Sequence, residues 1–206
     1  MFPMVISFYT TDTLYQLEVQ NLIESCQRYG VAHQIEGVGS FGSWELNCAY
    51  KPFFIYRKLQ ELQRPVLWID ADGMFIRSPQ ILEVFKKDFA VRINEELQVV
   101  HPSKVISSTI YANYTSGACR LLQTWAHRCH NEITRVDRKE EFWDQMALRD
   151  ALYFEEHGAD FETLPREYTK IIDHPGDQEH VLEPVIEHYQ ASRRYKKMIN
   201  QEGLFS

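Results

Sequence analysis

Apolar positions along this 206-residue chain recur at two periods, and the switches between them mark its elements. Residues 5–9 form a short apolar, β-rich run and read as a strand. Thr10-Thr11-Asp12-Thr13 then offers helix-capping side chains. Tyr15, Val19, Leu22, Ile23 and Cys26 follow at helical spacing until Gly30 ends the helix. Residues 31–36 read as a second strand, 37–43 as a flexible glycine-rich loop, and 49–62 as a second helix. That helix feeds Pro65-Val66-Leu67-Trp68-Ile69, an apolar run built for burial in a sheet. The β-α-β-α-β order with short connections predicts a parallel sheet with right-handed crossovers.

Further on, residues 74–77 are extended, and Ser78-Pro79 looks like a cap and first-turn proline opening a short helix to Phe85. Strands are expected over 89–93 and 104–111, with a loop over 94–102. Ala118, Leu121, Leu122, Trp125, Ala126 and Cys129 trace a regular amphipathic helix. A charged link over 135–140 precedes a helix that buries Trp143, Met146, Ala147, Ala151 and Phe154. Residues 160–164 and 168–172 read as strands, 174–183 as a loop, and 185–201 as a polar, basic, partly helical tail. The expected organisation is one α/β domain over 1–183, with a tail over 184–206 closing on its site. No internal repeat or low-complexity segment interrupts it.

Composition narrows the function classes. Hydrophobic residues at 44% and charged residues at 25% are ordinary for a globular protein. A formal charge of −7 argues against general affinity for nucleic acid or anionic membranes. No apolar run is long enough to span a bilayer, and the opening residues lack a basic leader, so no signal peptide is expected. Cys26, Cys48, Cys119 and Cys129 form no CxxC pair. They read as small hydrophobes in a reducing compartment, which points to the cytoplasm.

Chemistry concentrates where the apolar run ends in Asp70-Ala71-Asp72-Gly73. Alternation along a strand would turn both carboxylates the same way. Strand ends of open α/β sheets are where ligands bind, and paired like charges repel unless a cation or proton lies between them. Hard carboxylate oxygens favour Mg²⁺ or Mn²⁺, which keep positions open for substrate phosphates. The bland alternative is that both acids cap turns. His188 can complete such a metal shell, or be a surface histidine on a solvated tail. Ser192, Arg193, Arg194 and Lys196 can meet phosphate oxygens. Lys51, before Pro52, is a cation for the site or a surface lysine. Trp44, near Asn47 on a loop, can stack on a base or belong to the core. Thr10, Thr11, Asp12 and Tyr15 stand where a nucleotide would meet the first strand, although capping alone explains Thr11 and Asp12. Asp144-Gln145 opens its helix, where the dipole favours an acid; the pair can also face an acceptor as base, nucleophile or clamp.

Taken in order, these segments resemble a small GT-A-type glycosyltransferase of the nucleotide-diphospho-sugar transferase superfamily. The similarity runs from the opening strand and helix through Trp44, Lys51-Pro52-Phe53-Phe54-Ile55 and Leu67-Trp68-Ile69-Asp70-Ala71-Asp72. It continues through Tyr111-Ala112-Asn113-Tyr114-Thr115, Trp125, Asp144-Gln145 and Leu164-Pro165 to His188. The resemblance implies a Rossmann-type, mostly parallel sheet flanked by helices, a UDP-sugar donor, and Mn²⁺ or Mg²⁺. It would place Asp70 toward ribose and metal, Ala71 among the nucleotide contacts, and Asp72 and His188 on the metal. Lys51, Arg193, Arg194 and Lys196 would steady the diphosphate, and Asp144 and Gln145 would face the sugar or acceptor. The chain departs from the pattern in being short and in lacking the glycine- and tryptophan-containing element after the late histidine of glycogenin-like members.

Two other readings compete. Trp68-Ile69-Asp70-Ala71-Asp72-Gly73 resembles the first motif of haloacid-dehalogenase-like phosphatases, with Asp70 as nucleophile. However, a β-α-β-α module precedes it here, and Met74 holds the place of the usual hydroxyl residue. A sugar-nucleotide-binding module without turnover is the third.

Overall fold

The computed structural model describes residues 2–79, 85–137, 141–193 and 195. Its central sheet is six-stranded, with strands β1 (Met4–Thr10), β2 (His33–Val38), β3 (Val66–Ile69), β5 (Phe89–Ile93), β6 (Val105–Ala112) and β7 (Phe161–Thr163) in the order β2-β1-β3-β6-β5-β7. β1 pairs parallel with both β2 and β3, and β5 parallel with β7. β6 runs against both of its neighbours, β3 and β5. The sheet is therefore mostly parallel, as the β-α-β pattern predicts, with one reversed strand that the pattern did not specify.

Helix α1 (Tyr15–Arg28) and helices α2 (Trp44–Ala49) and α3 (Lys51–Leu62) carry the connections around β1. Strand alternation decides which face each helix covers. Val5, Leu67 and Ile69 pack with Leu22 and Cys26 of α1 on one face. Ile6, Phe8, Val66 and Trp68 pack with Phe54, Ile55 and Leu59 of α3 on the other, where α4 (Ser116–Thr134) and α5 (Asp144–Phe154) add Trp125, Leu121 and Leu148. A strand covered on both faces needs apolar residues throughout, which is why Val66 to Ile69 read as a continuous run. Because α1, which follows β1, and α3, which leads into β3, cover opposite faces, a crevice opens beyond the carboxyl ends of β1 and β3.

A second sheet, β4 (Gly73–Phe75), β9 (Ile186–His188) and β8 (Lys170–Ile171), lies against α1. Within it β9 pairs antiparallel with β4 and parallel with β8. This corrects the expected tail: residues 186–188 form a strand, inserted between two others, before any helical turn. The expected loop over 174–183 contains helix α6 (Pro175–His180), capped by His174 Nδ1 accepting from Asp177 N. The helix expected over 49–62 is α3, and a further short helix precedes it: α2, capped by Ser43 Oγ accepting from Leu46 N, after which the chain restarts at Lys51-Pro52. Proline lacks the N–H that a continuous helix would need there. Trp44 and Asn47 consequently sit on a helix instead of a loop. The helix expected from Ser78 to Phe85 falls mostly outside the described residues. No helix among the described residues is long and apolar enough to cross a membrane. All four cysteines are free, Cys26 and Cys129 buried, Cys48 and Cys119 partly exposed.

Candidate active site

A cleft of about 400 Å³ runs along one edge of the central sheet, within the range of small-molecule sites. It starts at Phe8–Thr10 at the end of β1 and passes Asp70 at the end of β3. It then crosses Ile106–Ser108 at the start of the reversed β6 and reaches Arg92 and Asn94 at the end of β5.

Asp70 and Asp72 both line it, but strand alternation does not bring them together. β3 ends at Ile69, and Gly73 N donates to Asp70 O at 2.8 Å, closing a turn that swings Asp72 back to the cleft. Gly73 is required by close approach: a Cβ there would meet Ile69 Cγ2 at 2.6 Å and His188 Cε1 at 2.9 Å. His188, expected as a surface residue under the simpler reading, is fully buried in β9, with Nε2 at 2.8 Å from Thr109 Oγ1. Its Nδ1 is buried without a hydrogen-bond partner and faces Asp72 Oδ1 at 3.9 Å.

Lys51 is only 5% exposed. Its Nζ lies 2.9 Å from Asp70 Oδ1 and 2.9 Å from Asp144 Oδ2, and also donates to Ser107 O. Burial works against the ammonium, yet Asp144 and Asp70 outweigh it and hold its pKa above the ordinary lysine value. Lys51 therefore bridges two carboxylates, and its Nζ is fully engaged by protein groups. Asp70 Oδ1 also accepts from Trp68 Nε1 at 2.8 Å. Asp144 is fixed from three directions: by Lys51, by Ser107 Oγ donating to Oδ2 at 2.9 Å, and through its backbone O by Trp125 Nε1 at 2.9 Å. Gln145 Nε2 donates to Pro102 O.

Sequence reasoning missed the device behind this arrangement. Pairing of β5 with β6 jumps from Val91↔Ile110 to Arg92↔Ile106, so residues 107–109 have no partner on β5. Such an irregularity re-aims side chains: Ser107 reaches Lys51 and Asp144, and Thr109 reaches His188. Three consecutive hydroxyl residues inside an otherwise apolar strand were the available signal.

Tyr15 and Trp44 line the β1 end of the cleft, with Thr10, whose Oγ1 is bonded to Thr13 Oγ1. Burial, with Asp72 nearby, pushes the Tyr15 phenol well up. The cap expected from residues 10–13 does not form: α1 starts from Leu14 without a side-chain cap, Thr13 Oγ1 accepts from Tyr15 N, Asp12 takes a left-handed φ of 63°, and Thr11 bonds Val38 O. Beyond β9, Ala191 N donates to Asp72 Oδ2 at 2.7 Å, Ser192 and Arg193 line the cleft, and Arg193 pairs with Asp173. Tyr195 Oη donates to Glu18 Oε1, and its ring meets Tyr15 edge-on. Arg194 and Lys196 lie outside the described residues. Burial pushes the Asp72 carboxyl up, but His188 and the Ala191 N–H prevail and hold it below the usual range.

At the far end, Arg92 forms a bidentate pair with Asp177 at 2.6 and 2.7 Å, both side chains buried, while Ile171 N donates to Asp177 Oδ2. Burial raises the Asp177 carboxyl, and Arg92 with the Ile171 N–H more than offset this, holding it below the usual range. A carboxyl depressed on folding stabilises the fold fully above its unfolded value of about 3.9, and the contribution is lost as pH falls through the folded value. Asp177→Asn is therefore expected to cost about 3–5 kcal/mol near neutrality. It should also flatten the loss of stability below about pH 4; urea unfolding at stepped pH measures both.

Three carboxylates, Asp70, Asp72 and Asp144, thus face the cleft against Lys51, since Arg92 and Arg193 are matched by Asp177 and Asp173. Among the described residues no group of three His, Cys, Asp or Glu side chains is placed to hold a metal ion. The donors that stand together are two, Asp72 and the unpartnered Nδ1 of His188. That set fits a divalent cation of the kind that keeps most of its positions for water and substrate phosphates.

No family model and no curated protein sequence matches the chain. Solved structures do. One is a glycosyltransferase involved in glycosylation of the major capsid of PBCV-1, at a TM-score of 0.67 and 9% identity over the whole of both chains. Another is the glycosyltransferase GlyE of Streptococcus pneumoniae TIGR4, at 0.58 and 13%, covering 99% of this chain and 61% of that one. A third is the galactosyltransferase LgtC with donor and acceptor sugar analogs, at 0.55 and 10%, covering 96% and 95%. At such identities the likeness establishes the fold: the GT-A-type arrangement that the motif order implied.

Proposed function

We propose that this cleft binds a nucleotide-diphosphate sugar, a UDP-sugar, with Mn²⁺ or Mg²⁺, and transfers the sugar to an acceptor hydroxyl. The bond from sugar C1 to the diphosphate breaks with its electron pair going to the phosphate. A bond from the acceptor oxygen to C1 forms, and the hydroxyl proton is released. The observation that carries the reading is His188 Nδ1, buried, unpartnered and 3.9 Å from Asp72 Oδ1 beside the turn bearing Asp70. Buried ring nitrogens are ordinarily satisfied, and a cation held by Asp72 and His188 would satisfy this one. When bound, such an ion neutralises charge on the departing diphosphate.

The remaining roles follow the order of the cleft. Thr10, Tyr15 and Trp44 receive the nucleoside beside β1, with Ala71 against the ribose. Lys51 holds Asp70 and Asp144 in register. Asp144 and Gln145 face the transferred sugar or the acceptor, and Ser192 and Arg193 meet the diphosphate, with Arg194 and Lys196 as further phosphate-binding residues. The chain shares its fold with three proteins whose names state sugar transfer, which supports this chemistry over the phosphatase alternative. Free cysteines accord with the cytoplasm. Calorimetry with UDP and MnCl₂ tests the proposal: UDP should bind only with the metal present, and a UDP-sugar should be consumed slowly. Binding without turnover would favour the non-catalytic module.

A further inference from the structure

The cleft continues past the residues that the proposed donor would use. In the reading above, which this inference rests on, the donor occupies the ends of β1, β3 and β6. Beyond them the cleft continues over the end of β5, lined by Asn94, Ser103, Trp143 and Gln145. Trp143 is half-buried at the cap position of α5, and its indole N–H donates to Glu141 Oε2 at 3.0 Å. With that edge engaged, the indole offers ring carbon surface to the cleft. Gln145 uses Nε2 on Pro102 O, which leaves its amide oxygen as an acceptor. Ser103 is held from behind, its carbonyl accepting from Asn94 Nδ2 at 2.7 Å and its N–H bonded to His101 Nδ1, so its hydroxyl remains available. Asn94 is braced in turn by Arg92 Nε, and Arg92 by Asp177.

This end offers no free cation: Arg92 is taken by Asp177, and Lys51 is shared by Asp144 and Asp70. An anionic occupant would find no counter-ion, and a purely apolar one would strand the amide and hydroxyl. The ligand class that fits is neutral, with one apolar face and a rim of hydroxyls. A pyranose ring has that form, since its axial C–H bonds make a flat apolar face. We infer that the acceptor is an uncharged carbohydrate whose ring stacks on Trp143, with its hydroxyls bonded to Gln145 and Ser103.

Saturation-transfer NMR on the full chain with UDP and Mn²⁺, against a panel of methyl glucosides, galactosides, mannosides, xylosides and N-acetylglucosaminides of both anomers, tests this. At least one should bind, with transfer strongest to the C–H protons of one ring face. Trp143→Ala should weaken it at least tenfold and Trp143→Tyr by less than threefold. Trp143→Leu, which keeps apolar bulk without an aromatic face, should repeat the loss. Absence of binding across the panel, or equal binding by Trp143→Leu, overturns the inference, as does preference for phosphatidylglycerol vesicles or a tyrosine peptide. Calorimetry of UDP and Mn²⁺ on the same samples separates the two proposals: failure there removes the donor reading, whereas UDP binding without glycoside binding removes this inference alone.

Discussion

Replacing Asp72 by alanine is expected to weaken Mn²⁺-dependent UDP binding on the order of 100-fold or more, about 2.7 kcal/mol, while the protein stays folded. The size follows from its position: Asp72 is the carboxylate facing the unpartnered nitrogen of His188, and even indirect supports of a metal site are worth roughly 10–100-fold. Asp72 also accepts from Ala191 N at 2.7 Å, so alanine removes one tail contact worth about 1 kcal/mol. Asp72→Asn separates the effects, because an amide oxygen still accepts from Ala191 but is a poor ligand for a hard cation. Calorimetry should show UDP binding lost in both variants, with the melting temperature lowered clearly only in the alanine variant. Wild-type affinity in either would contradict the assignment.

Lys51→Met should lose as much stability as Asp177→Asn, about 3–5 kcal/mol, or roughly 10 °C in melting temperature for a chain of this size. The ammonium is buried between Asp70 and Asp144 and lies 5.6 Å from the Trp68 ring centroid. Without it, two carboxylates are left close together with little solvent. Adding Asp144→Asn should restore about 1–2 kcal/mol, since residues sharing one network are non-additive. Thermal and urea unfolding of the two single variants and the double variant measure this. An unchanged melting temperature for Lys51→Met would show that the ammonium is not the bridge the distances indicate.

Much of this was legible in the sequence because strand burial and helix caps are local signals. The run from Val66 to Ile69 reads as a two-faced strand, and Asp70 and Asp72 announce themselves by following it. The partner strand of His188 is 110 or so residues away, and nothing near position 188 reveals that β4 and β8 will enclose it. Its neighbours Glu187, Tyr189 and Gln190 look solvated, so the tail read as helix. Lys51 likewise showed itself as a cation before proline, but its burial depends on two carboxylates contributed by distant elements. Ser107 and Thr109 were passed over because hydroxyls are tolerated in strands, and only the break in pairing with β5 gives them separate tasks. Local signals that were misread are the caps at Ser43 and His174, which open the short helices α2 and α6 where loops were expected.

Anomalous diffraction from crystals grown with UDP and MnCl₂ tests the central claim most directly. The expected result is a manganese peak within about 2.0–2.3 Å of an Asp72 oxygen and of His188 Nδ1, with UDP phosphate oxygens completing its shell. Manganese bound elsewhere, with Asp72 still held only by Ala191 and His188 Nδ1 unliganded, would contradict it.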